Sequence, residues 1–140
     1  MCIVVVDESP FGRELLSLAL ERSGFECRTA ATGLDALPLI QKHKPRLVIL
    51  NLKLPDMDGL KTLRLIRGTP QLRDTPVFIL SEEDNRVCIV QATQIGIQAY
   101  ILKSQFTLEA LLKRVHDQLG PSMKMGTRSA AVEEVWGTIT

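Results

Sequence analysis

A recurring alternation of short apolar runs with stretches of helical spacing constrains this chain more than any other feature. Residues 2–6 (CIVVV), 46–50 (RLVIL), 76–80 (PVFIL) and 98–102 (QAYIL) are rich in β-branched and aliphatic side chains, and 26–30 (ECRTA) is a weaker, more polar run. Near-continuous apolar strands are buried on both faces, as in a parallel sheet covered by helices. Between the runs, Ser9 to Arg22, Gly33 to Lys42, Asp58 to Arg67, Asp84 to Ile95 and Thr107 to Leu119 carry helical periodicity. Five β–α units joined by right-handed crossovers predict an α/β fold, a doubly wound five-stranded parallel sheet of strand order 2-1-3-4-5.

Local signals mark the element ends. Ser9-Pro10 places a capping hydroxyl before a proline at the first helical position, and Gly24, Gly96 and Gly120 follow helices where a terminal glycine is favoured. Pro38 is expected to kink or shorten the second helix. At 140 residues, 45% of them hydrophobic, the chain supports one packed core, so one domain over residues 1–120 and a linker or C-terminal tail over 121–140 are expected. In the tail, Val132, Val135, Trp136 and Ile139 repeat at i, i+3, i+4, i+7 like one apolar helical face. Gly137 and the β-branched residues beside it weaken a helix there. The segment reads as a linker plus the first turns of a further domain, with a docking helix as the alternative.

A formal net charge of +1, with Lys and Arg scattered along the chain, gives no electrostatic ground for direct nucleic-acid or anionic-membrane binding. No apolar run approaches the roughly 20 residues needed to span a bilayer, and CIVVVDE is too short and too quickly acidic for a signal peptide, so a cytoplasmic location is expected. Cys2, Cys27 and Cys88 are far apart in apolar segments and read as buried reduced thiols. His43 and His116 are isolated, so no His/Cys metal cluster emerges.

In a sheet of this order, ligands bind beyond the carboxyl ends of the strands. That rule selects Asp7 and Glu8 after the first strand, Asn51 after the third, Ser81 and Glu82 after the fourth and Lys103 after the fifth. Hard oxygen donors suit Mg²⁺, which takes one or two carboxylates and shares phosphate oxygens, while Lys103 and Ser81 can hold phosphoryl oxygens. Taken singly, an acidic pair at a strand end is usually solvated loop, Ser81 a helix cap and Asn51 a turn residue; their common position makes the case. A nucleotide-binding reading is disfavoured because DESPFG lacks a glycine-rich phosphate cradle.

The segments IVVVDES, LVILNLKLPDMDGL, PVFILSEED and AYILKS, in this order and spacing, make residues 3–119 resemble the receiver domain of bacterial two-component response regulators, a flavodoxin-like fold. The resemblance implies that Asp7 and Glu8 form an acidic Mg²⁺ pair and that Lys53 lends a backbone carbonyl to the metal. It makes Ser81 and Lys103 phosphoryl contacts and Tyr100 an aromatic switch. Asn51 falls where the family carries the Asp that accepts a phosphoryl group from a phosphohistidine. Two departures accompany it: Glu82 replaces the usual small residue, and Ser104 the usual Pro.

An amide is a poor nucleophile toward a phosphoryl donor, since its oxygen bears little charge and its nitrogen is delocalised. The expectation is therefore a receiver without an active phosphoacceptor, a non-enzymatic protein-interaction module that retains weak Mg²⁺ binding at Asp7, Glu8, Asn51 and Lys53. The expected partner is a histidine kinase, phosphotransfer protein or output domain, bound through the helix 4–strand 5–helix 5 face around Val87, Val90, Gln91, Tyr100 and Phe106. The alternative is an ordinary phosphoacceptor receiver seen as an inactive Asp-to-Asn variant, part of a longer regulator.

Overall fold

The computed structural model describes residues 2–82 and 84–120; the expectations for the tail fall outside them. Five parallel strands, β1 (Cys2–Val6), β2 (Glu26–Ala30), β3 (Leu47–Asn51), β4 (Val77–Ser81) and β5 (Ala99–Leu102), form one sheet of order β2-β1-β3-β4-β5. The helices are α1 (Pro10–Arg22), α2 (Gly33–His43), α3 (Gly59–Gly68), α4 (Arg86–Ile95) and α5 (Leu108–Leu119), with a 3-10 turn at Lys103–Gln105. The expected topology is the one observed.

Alternate strand residues supply two cores. Ile3, Val5, Leu47, Ile49, Phe78 and Leu80 pack against Leu16, Leu20, Leu111 and Val115 of α1 and α5. Val4, Val6, Val48, Leu50 and Ile79 pack on the other face against Ala36, Ile40, Leu63, Ile66 and Ala92 of α2, α3 and α4. The polar character of β2 follows from its place at the sheet edge, where only Cys27 and Ala30 are buried.

Each helix begins on a side-chain cap that accepts an otherwise orphaned N–H: Ser9 from Gly12, Thr32 from Asp35, Asp58 from Lys61, Asn85 from Val87 and Thr107 from Ala110. These caps move the expected starts inward by one or two residues, because Ser9, Asp58, Asp84 and Thr107 precede the helical turns. Pro38 does not shorten α2, which continues to His43. Pro38 is exposed, while Ala36 and Ile40 are fully buried and hold the helix on the sheet. Arg67 ties the end of α3 to its surroundings, donating to the carbonyls of Gly96, Arg73 and Thr75. Among the described residues, no helix is long and apolar enough to cross a membrane.

Candidate functional site

The carboxyl ends of β1, β3 and β4 open onto a cavity of about 730 Å³ lined by Asp7, Glu8, Asn51, Lys53, Ser81, Glu82 and Lys103, together with Leu54 and Cys88. All of the strand-end residues selected from the sequence therefore meet in one place. Tyr100 does not; it packs, partly buried, against the α2–α4 core and lines a separate cavity of about 200 Å³ with Phe106 and Arg114.

Asp7 is 4% exposed and follows β1 directly, its N–H bonded to the Ala30 carbonyl. Its carboxylate oxygen accepts from the Ser9 N–H at 2.9 Å and from the Asn51 amide nitrogen at 3.0 Å. The Asn51 amide oxygen in turn accepts from the Lys53 N–H at 3.4 Å. A carboxylate offers only acceptors, so the nitrogen of Asn51 must be the end that faces Asp7. The amide thus bridges the two loops with a donor on one side and an acceptor on the other. Glu8 and Lys53 are exposed and Lys103 half-buried.

Two glycines make this closeness possible. A Cβ at Gly12 would stand 2.6 Å from the Asp7 carboxylate, and one at Gly59 would stand 2.6 Å from both the Asn51 carbonyl oxygen and the Leu52 Cα. The Gly59 N–H closes the β3–α3 loop onto the Leu52 carbonyl at 2.7 Å. Arg13 reaches back from α1 to the carbonyls of Asp7 and Glu8 at 2.8 and 3.1 Å. On the far side of the β3–α3 loop, Asp56 accepts from the first two N–H groups of α2, Gly33 at 2.9 Å and Leu34 at 2.7 Å. Desolvation pushes the Asp56 carboxyl upward, but these N–H donors outweigh it and hold the group below its ordinary range.

Residues 3–116 match the response regulator receiver domain. The chain belongs to this family. Among relatives of this receiver, the phosphate regulon transcriptional regulatory protein PhoB of Pseudomonas aeruginosa is 35% identical over 85% of the chain and 52% of its own length. The transcriptional regulatory protein AfsQ1 of Streptomyces coelicolor is 32% identical over 72% of the chain and 44% of its own length. Chemotaxis protein CheY-3 of Vibrio cholerae is 31% identical over 85% of the chain and 94% of its length. The receiver thus spans about half of the two transcriptional regulators and nearly all of the chemotaxis protein. Among solved structures, CheY4 of Vibrio cholerae superposes with a TM-score of 0.78 at 29% identity, over 84% of this chain and 98% of that one. The BeF3-activated N-terminal receiver domain of Klebsiella pneumoniae RstA gives 0.78 at 28% identity, over 86% and 99%.

Receiver domains typically bind Mg²⁺ at their acidic site, and this receiver's donors fit that ion poorly. Asp7 Oδ1 already accepts from two N–H groups, and one of them is the amide N–H that Asn51 turns toward it. Among the described residues, no group of three or more His, Cys, Asp and Glu side chains could hold a metal ion. Sequence reasoning missed Arg13, Gly12, Gly59 and Asp56, all of which act on backbone or through space that no apolar periodicity records. It also placed Cys88 in the interior, whereas this thiol is half-buried on the cavity wall.

Proposed function

We propose that residues 1–120 form a receiver that passes its signal by protein contact, without taking a phosphoryl group at Asn51, and that 121–140 is a linker or tail. The single observation behind this reading is the Asn51–Asp7 hydrogen bond. In this reading Asn51 stands at the phosphoacceptor position, where its neutral amide joins Asp7 and the Lys53 N–H directly. The loops that a bound cation would draw together are already tied. Asp7, Glu8, Asn51 and the Lys53 carbonyl make at best a weak Mg²⁺ site, while Ser81 and Lys103 are the groups that would contact a phosphoryl group and Tyr100 the switch residue. The chemistry left to this chain's own residues is recognition.

The recognised surface is the face formed by α4, β5 and α5. On α4, Val87 is 60% exposed and Val90 43%, and Tyr100 and Phe106 line a cavity between β5 and α5. Neighbouring apolar side chains left in water offer a partner surface to bury. A kinase, phosphotransfer protein or output domain is the partner class. A partner can bias the two-state equilibrium of such a face only by binding one state more tightly than the other.

A second reading keeps a specific observation on its side. Ser81 and Lys103 still line the cavity with the acidic pair, as an ordinary phosphoacceptor receiver with an Asp-to-Asn change at 51 would have them. Capture of a partner from the native host separates the two readings. The proposal expects equal capture with and without Mg²⁺ and a small phosphoryl donor, and loss with Tyr100→Ala. Capture that requires Asn51→Asp together with the donor favours the second reading.

A further inference from the structure

α1 leaves an apolar stripe in water. Phe11 is 76% exposed, Leu15 37% and Leu18 48%, and their spacing places all three on one flank of the helix. The opposite flank carries Ser17, which lies beside Cys27 on the edge strand β2. The stripe therefore turns away from the sheet edge and toward α5, which packs beside α1 on the same face. The facing flank of α5 carries His116 and, one and two turns earlier, Lys113 and Glu109. His116 itself meets the ring of Phe25, just beyond α1, at 5.5 Å between centroids. Both helices end at this same end of the sheet, and Gly120 leaves from there.

We propose that the furrow between α1 and α5 is the docking site for this chain's own segment Val132–Ile139. Its apolar residues Val132, Val135, Trp136 and Ile139 recur over the same seven-residue span as Phe11, Leu15 and Leu18. Residues 121–131 reach about 35 Å when extended, while the 13 residues of α1 cover about 20 Å. The segment can thus turn back at Gly120 and run up the furrow antiparallel to α1. Glu133 and Glu134 then start near Arg22 and Lys113, giving opposite charges at the entry. Gly137 and the β-branched residues around it disfavour an isolated helix, so burial against the stripe is what supplies the order. Docked, the segment covers the exposed flank of α1.

Trp136 is the only tryptophan, so its fluorescence in the whole chain reports the docking directly. The proposal expects emission at shorter wavelength than in urea, and protection from acrylamide quenching. Leu15→Lys with Leu18→Lys should shift the emission to longer wavelength and remove the protection, while the receiver keeps its cooperative urea transition. Phe11→Ser, at a side chain almost wholly in water, gives the same readout if the double variant does not fold. Emission in the parent chain equal to that in urea overturns the proposal. So does a response to Val87→Lys with Val90→Lys in place of the α1 variants, which would seat the segment on α4. A blue shift lost on dilution, in step with dissociation of a dimer, assigns the furrow to a second copy and also overturns it.

Discussion

The side-chain amide of Asn51 donates a 3.0 Å hydrogen bond to the carboxylate of Asp7, joining the ends of neighbouring strands β1 and β3 across 44 residues of sequence. Both side chains are buried, at 6% and 4% exposure. With Asp at position 51, the same geometry would replace a donor–acceptor pair by two carboxylates at hydrogen-bond distance, a repulsive like-charge pair. Asn51→Asp should therefore lower stability by about 1–3 kcal/mol in a chelator. Mg²⁺ should recover much of that loss and bind the variant more tightly than the parent. Urea unfolding with and without Mg²⁺ checks both points. Equal Mg²⁺ affinities would mean that position 51 does not face the ion.

Gly59 answers a steric demand rather than a conformational one. Its missing Cβ would stand 2.6 Å from backbone atoms of Asn51 and Leu52, which cannot move without displacing the site. Gly59→Ala is expected to cost about 1–3 kcal/mol, as overpacking does. Gly68, the last residue of α3, has nothing within 4 Å of its Cβ position, so Gly68→Ala should gain about 0.5–1 kcal/mol. Opposite shifts of the urea midpoint are the expected outcome, and shifts of the same sign would contradict it.

The three free thiols should separate by reactivity. Burial pushes the Cys27 thiol up to about 11, with Ser17 opposing, and also raises Cys2. Thiolate is the reactive form, so neither should label at pH 8 in the folded protein. Cys88, half-buried on the cavity wall, should label first. Mass mapping after a short pulse of iodoacetamide checks the order. Prior labelling of Cys27 would mean that β2 and α1 part readily.

His116 predicts an acid-side loss of stability. Burial lowers its proton affinity below the ordinary 6.5, and Asp117 offsets only part of that. The unfolded chain therefore binds more protons in the window just below 6.5, so this contribution is complete above 6.5 and is lost as the pH falls through the folded value. His116→Gln should flatten the dependence of the urea midpoint between pH 7.5 and 5.5. An unchanged slope would place the acid sensitivity elsewhere.

How far the molecule could be read from its sequence depended on what carries each feature. Strands such as CIVVV and LVILN are legible because burial on both faces leaves a composition signal, and even the polar ECRTA fits once the edge position of β2 is known. The strand-end rule then gathered Asp7, Asn51, Ser81 and Lys103 into one cavity. The bonds that fix this cavity were not legible. Arg13 and Arg67 act on backbone carbonyls, and Asp56 caps a helix that begins 23 residues earlier in the chain. Such contacts depend on where loops meet in space, and hydrophobic periodicity is silent about them. Pro38 leaves α2 its length because the burial of Ala36 and Ile40 around it outweighs local propensity.

The central claim is that Asn51 takes no phosphoryl group, and intact-mass measurement after incubation with a small phosphoryl donor and Mg²⁺ tests it most directly. Peptide mapping first establishes that Asn51 is fully amidated, because deamidation would itself create the acceptor carboxylate. The account predicts an unchanged mass for the parent chain and a labile phosphoryl adduct for Asn51→Asp. A phosphoryl adduct on the fully amidated parent would contradict it.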